Sequence, residues 1–174
     1  MMETNTYKKL KDKPKNNEPS CIIIHHSGGT NQNPLEDTSN HTAQIMETYH
    51  LSLGWVGLGY HYVIHKNGEV WKGRPEHYEG AHTKEYNRKS IAICLSGNFD
   101  LTLPTKEQEN ALVGLLASIK GRYGAIPAYP HRKFANKTCF GRNLPDDWAE
   151  KIIPNENPDK EKIKAQILDL LKQL

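Results

Sequence analysis

The 174-residue chain lacks any run near the roughly eighteen consecutive apolar residues of a membrane span, so membrane insertion is not expected. Its first twenty residues, Met1 to Ser20, have no apolar stretch and are rich in Lys, Asn and Glu, so no secretory signal is expected there. Cysteine is scarce. Cys21, Cys94 and Cys139 are odd in number and far apart, which argues against a disulfide scaffold. A dominant charge sign is also missing. Twenty-three Lys and Arg stand against twenty Asp and Glu, net +3, too mild for the basic face that nucleic acid demands. Such a balance suits an anionic polymer only weakly.

What remains is polar, with 36% hydrophobic and 25% charged residues, yet sufficient for the core of one domain. Histidine is plentiful. There are nine, several beside apolar runs, and histidine is both the commonest metal ligand and the usual acid–base group near neutral pH.

Residues 1–19 show no periodicity and read as a polar tail or a loosely attached arm. Cys21-Ile22-Ile23-Ile24-His25-His26 is apolar on both alternating faces, as in a central strand. A Gly/Asn/Pro-rich loop covers 28–38. Thr38 or Ser39 can cap a helix to about Leu51, with Ile45, Met46 and Tyr49 as its stripe. Asn67-Gly68 between Tyr60–His65 and Glu69–Gly73 predicts a hairpin. Ile91 to Leu95 reads as another strand. Thr105 and Gln108 form a capping box ahead of a helix with Leu112, Leu115, Leu116, Ile119 and Tyr123 on one side, ended by Gly124. Residues 127–145 are loop-rich, and a last amphipathic helix is predicted over 158–174. The order predicts an α/β fold, a single domain with a mixed central β-sheet flanked by helices.

His25 ends the first strand, and ligands in open α/β sheets collect at strand ends. His26 points to the opposite face if the strand is regular. Alone, His25 reads more readily as a polar strand-end residue with a loop partner. His131 and Cys139 lie eight apart in a loop-rich stretch. With one strand-borne histidine they would give three zinc donors and an open fourth position, the catalytic pattern. A loop-bracing histidine and a buried thiol are the plain alternatives. Lys137 is two residues before Cys139. Tyr60 starts the hairpin, and if its strand runs antiparallel to the first, it begins near His25. Both can stabilise an oxyanion, or be a surface charge and a half-buried aromatic. His82 and Trp55 are candidates to line a cleft. His50 reads as packing, His61 and His65 as facing away from Tyr60, and Cys94 as core.

One ordered set of residues goes further. It runs Ile22 to Ser27, Gly54-Trp55, Gly59 to Ile64, Asn67 to Val70 and Gly73-Arg74. It continues with Gly80-Ala81-His82 through Asn87, Ser90 to Ile93, Gly97-Asn98-Phe99, His131 and Lys137-Thr138-Cys139. Over roughly 20–150 this set resembles the zinc-dependent N-acetylmuramoyl-L-alanine amidases of the type 2 family. That family includes phage lysozyme-type amidases and peptidoglycan recognition proteins. The resemblance implies an amidase domain over 20–174 with zinc in a surface cleft. It implies His25, His131 and Cys139 as ligands, Tyr60 as catalytic tyrosine, and Lys137 as the lysine of phage members. The reaction implied is hydrolysis of the amide between muramic acid and L-alanine of peptidoglycan. Zinc would make a water nucleophilic near neutral pH, while Tyr60 and Lys137 stabilise the oxyanion. Where members often carry Pro-Gly after the cysteine, this chain has Phe140-Gly141, so Phe140 is expected to present an aromatic face to the cleft. A monomer is expected. A wall enzyme without an export signal suits a phage or prophage lysin made in the cytoplasm and acting on the wall after release, although a chain that had lost its leader, or one exported by another route, would read the same. A binding-only recognition protein is the alternative, but such relatives typically lack the cysteine. A polymerase-binding role has no identifiable surface, and the His-x-Glu and Pro-Cys-x-x-Cys pattern of zinc deaminases is absent.

Overall fold

Strand β2 (Cys21–His26) is buried along its whole length, as its unbroken apolar run requires of a central strand. The computed structural model describes residues 1–29 and 33–152, so the helix expected over 158–174 lies outside the described residues. Around β2 the described chain runs β1 (Met2–Glu3), α1 (Asn5–Leu10), β2, α2 (Ala43–Ser52), β3 (Tyr62–Ile64), β4 (Val70–Lys72), β5 (Ser90–Leu95), α3 (Lys106–Tyr123), β6 (Ala128–Pro130) and α4 (Trp148–Lys151). A short 3-10 turn, His131–Lys133, follows β6.

The six strands form one mixed sheet ordered β1-β4-β3-β5-β2-β6. β3, β5, β2 and β6 are mutually parallel, β4 is antiparallel to β3, and β1 pairs parallel with β4. The hairpin falls where Asn67-Gly68 predicts it, with Gly68 at φ 81°. Period-two alternation divides the sheet. Ile22, Ile24, Ile91, Ile93, Leu95, Tyr62 and Ile64 face α3, whose Leu112, Leu115, Leu116 and Ile119 complete the larger core. The Thr105–Gln108 capping box is formed as expected, and Gly124 ends the helix.

The other face carries Val63 and the small Cys94, covered by Ala43 and Met46 of α2 together with Leu58. Val63, Cys94 and His25 are successive register partners, one row across β3, β5 and β2. α2 shields the β3 end of that row and leaves the β2 end open.

Two expectations about α2 change. It begins at Ala43, with the Thr42 side chain accepting from Ile45 N. Its buried positions are Ala43, Met46, Glu47 and His50, while Ile45 and Tyr49 are exposed. The buried face is partly polar because its polar groups have partners. Glu47 Oε1 accepts from the Thr6 N–H and hydroxyl, each at 2.5 Å, and His50 Nδ1 accepts from Gly59 N at 3.0 Å.

The N-terminal segment is not a solvated tail. Met2 and Glu3 pair with Trp71 and Lys72, and the Thr4 side chain caps α1 by accepting from Tyr7 N. Leu10 is buried. So is Asn17, which donates to the carbonyls of Glu76 and Ser90 at 2.8 and 3.1 Å. Threonine and asparagine attach this arm through hydrogen bonds, and that composition reads as solvated when only hydropathy is followed.

Candidate metal centre

β6 pairs with β2 so that Pro130 lies opposite Ile24. The residues that follow, His25 still on β2 and His131 at the start of the 3-10 turn, are brought side by side, with ring centroids 4.4 Å apart. Cys139 arrives from the loop after the 3-10 turn. Its Sγ is 3.7 Å from His25 Nδ1, and one donor atom from each of the three residues lies within 4.8 Å of the others. Tetrahedral zinc with ordinary Zn–N and Zn–S bond lengths separates such a nitrogen and sulfur by about 3.6 Å, so the donor set fits a metal of that size.

The loop bearing Cys139 is tied down at several points. Arg132 N donates to Cys139 O, and the Arg132 guanidinium donates to the carbonyls of Gly141 and Leu144 and to Asp146 Oδ1. Asp100, just beyond β5, accepts from the Thr138 hydroxyl at 2.6 Å and from Arg142 N at 2.7 Å. Sequence reasoning missed both Arg132 and Asp100. Asp100 follows the Gly97-Asn98-Phe99 motif directly, and nothing in its type or spacing singles it out.

Tyr60 arrives by a route other than the one expected. β3 is parallel to β2 through β5, so an antiparallel return does not bring it there. Tyr60 precedes β3 and packs against the smaller core that holds Val63 and Cys94, the latter being the register partner of His25. Its ring centroid is 5.2 Å from that of His25. Gly59 lets this loop touch the loop carrying His82. Ala81 N donates to Gly59 O at 2.9 Å, and a Cβ at Gly59 would lie 2.2 Å from Ala81 O. Buried Arg74 donates to Leu58 O and Glu79 O, holding both loops.

These residues open onto a cleft of about 620 Å³, lined also by Lys137, Trp55 and His82. Trp55 is 39% exposed and stacks on His50, rings 4.6 Å apart. His82 forms part of the wall, but its ring nitrogens turn inward to His25, Thr83 and Ser90. His26 is held away from the donors, its Nδ1 accepting from Phe99 N at 2.9 Å. Phe140 does not face the cleft. It is fully buried in the larger core against Trp148, with the Arg132 guanidinium over its ring. The chain turns at Cys139 so that the sulfur looks out and the next side chain looks in.

Burial sets the protonation of the group. Desolvation, then the neighbouring His82 and His131, holds His25 well below the usual histidine range. Desolvation and then Lys137 bring His131 down to about 4. Both are neutral imidazoles with lone pairs available near pH 7. Desolvation pushes the Cys139 thiol up to about 12. Desolvation, with Cys94 and Cys139 next, raises Tyr60 well above the phenol range, so it keeps its proton and donates.

Fold and cleft define an α/β protein with a three-donor, metal-type site open on one side. The chain belongs to the N-acetylmuramoyl-L-alanine amidase family, whose sequence pattern matches residues 15–142. It is 33% identical over 135 residues to peptidoglycan-recognition protein SC2 of Drosophila melanogaster, covering 75% of this chain and 71% of that one. It is 30% identical over 145 residues to the endolysin of Escherichia phage T7, covering 80% and 92%. Among solved structures it resembles the N-acetylmuramoyl-L-alanine amidase LysC from Clostridium intestinale URNW. That match has a TM-score of 0.70 and 29% identity, over 87% of this chain and 93% of LysC. The activity is that of the family, N-acetylmuramoyl-L-alanine amidase acting on peptidoglycan.

Proposed function

We propose that His25, His131 and Cys139 hold one catalytic Zn²⁺, and that Tyr60 and Lys137 act on the amide between N-acetylmuramic acid and L-alanine. The observation that carries this reading is the His-His-Cys set, its donors within 4.8 Å, in a cleft that Tyr60 and Lys137 also line. Two neutral imidazoles and one thiolate suit zinc, and a three-residue set leaves a position open for water or substrate. Bound there, zinc supplies a water nucleophilic near neutral pH and a Lewis acid for the carbonyl oxygen. Tyr60 Oη, still protonated, donates to that oxygen as it gains charge, and the Lys137 ammonium adds a second favourable field. Trp55 offers an apolar wall for one side of the substrate. Across the reaction the C–N bond breaks, water adds a hydroxyl to the carbonyl carbon, and a proton goes to the leaving L-alanine nitrogen.

The complete donor set argues against a binding-only protein. All five residues come from one chain, so a monomer suffices, and the likeness to endolysins supports action on the wall after release from the cell interior. Digestion of purified cell wall tests the reaction. New L-alanine amino termini without new reducing sugar ends are expected. Reducing ends with stem peptides still joined to muramic acid would overturn it.

A further inference from the structure

His25 uses its two ring nitrogens in opposite directions. Nδ1 lies toward Cys139 Sγ at 3.7 Å, whereas Nε2 lies 3.0 Å from His82 Nδ1. The His25 and His82 rings meet edge-on at 90°, centroids 5.1 Å apart. His82 Nε2 is 3.3 Å from Ser90 Oγ, and Ser90 Oγ is 2.7 Å from Tyr86 O. The Thr83 hydroxyl also touches His82 Nδ1, at 2.9 Å.

Proton positions along this line follow from its fixed end. A backbone carbonyl only accepts, so Ser90 donates its hydroxyl proton to Tyr86 O. Ser90 Oγ then offers a lone pair toward His82, whose Nε2 carries the proton. A neutral imidazole has one N–H, so His82 Nδ1 is an acceptor, and it receives His25 Nε2–H. That leaves the lone pair of His25 on Nδ1, the nitrogen facing Cys139. The direction of three successive side chains is thus set by one peptide carbonyl.

We propose that His82, backed by Ser90, is a positioning residue that fixes His25 as the Nε2–H tautomer and aims Nδ1 at the metal. This rests on reading His25, His131 and Cys139 as the metal donors. Metal-ligating histidines commonly give their second N–H to a carboxylate, carbonyl or water. Here the acceptor is a neutral imidazole, so it orients His25 without adding negative charge beside the thiolate. β5 supplies both Ser90, which backs His82, and Cys94, the register partner of His25.

The test is long-range ¹H–¹⁵N correlation of the histidine rings in the metal-free full chain near neutral pH. The parent should show His25 and His82 both as Nε2–H. His82→Phe and Ser90→Ala should leave His25 a mixture of tautomers. Chelator competition should show zinc affinity falling about 10–100-fold in His82→Phe. His82→Gln, whose amide oxygen accepts, should recover part of that loss, with thermal unfolding of the metal-free variants separating any general loss of fold. His25 found as Nδ1–H in the parent would overturn the proposal. So would a His82→Phe variant that keeps both the parent tautomer and the parent zinc affinity. Cys139→Ser keeps the metal reading separate, because it abolishes tight zinc binding if that reading holds and leaves the metal-free tautomer of His25 unchanged.

Discussion

Ile24 and Pro130 are register partners across β2 and β6, and each is followed directly by an imidazole of the cleft. The spacing between His25 and His131 is therefore a property of strand pairing rather than of loop conformation. Cys139 alone is delivered by a loop, and that loop is held by Arg132 and Asp100.

One zinc per chain is expected by metal analysis of the purified protein, and Cys139→Ser should bind it far more weakly. Uptake should release about one proton per zinc near pH 6.5, because the thiol must ionise while the two imidazoles are already neutral. Calorimetry in buffers of different ionisation enthalpy measures that number. Uptake without proton release would mean that Cys139 is not a ligand.

Tyr60→Phe and Lys137→Ala should keep zinc and fold while turnover on isolated wall drops. Removing one oxyanion donor typically costs about 10²–10³ in rate. A variant with parent turnover would remove that residue from the catalytic group.

Asp100→Ala should loosen the Cys139 loop without touching the donors. Its carboxylate accepts from Thr138 and Arg142 on either side of the cysteine. Zinc should dissociate faster while the circular dichroism spectrum is unchanged, and an unaltered off-rate would assign the loop's rigidity to Arg132 alone.

Acid should destabilise the protein through histidines outside the proposed metal centre. His61 is fully buried, with Nδ1 accepting from Ala92 N and Nε2 facing Tyr78 O, and desolvation brings it down to about 4. In the unfolded chain it titrates near its usual 6.5. Between those values the unfolded state binds more protons, so stability is full above about pH 6.5 and falls as pH drops toward 4. For this residue the loss is on the order of 3 kcal/mol. Denaturant melts at stepped pH should show it, and His61→Asn should flatten the slope.

Phe140→Ala should behave as a core substitution, losing about 3–5 kcal/mol in chemical denaturation. KM on wall fragments should change little at a temperature where the variant is folded. A raised KM with unchanged stability would return Phe140 to the cleft.

Much of this was legible in the sequence because single local signals agreed. The apolar run of β2, Asn67-Gly68 and the Thr105–Gln108 box each correspond to an observed element. The residues of the cleft were found through an ordered motif rather than through spacing. Where reading failed, the deciding fact was a partner distant in sequence. Glu47 and His50 belong inside only because Thr6 and Gly59 reach them. Residues 1–10 fold because β4 offers an edge. The direction of Phe140 depends on how the chain turns after Cys139, and residue type does not encode that turn.

The short strand at the start of the chain has a practical consequence for handling. β1 occupies the outer edge of β4, and Thr6 covers the Glu47 carboxylate on α2. Trimming to residue 20 would bare a ladder of unpaired peptide groups on β4 together with a buried acid that has lost its donors. Exposed edges of that kind recruit other chains. The shortened protein should remain dispersed only when dilute and come out of solution on concentration, and a bulky fusion at Met1 should do similar harm by prising the strand away.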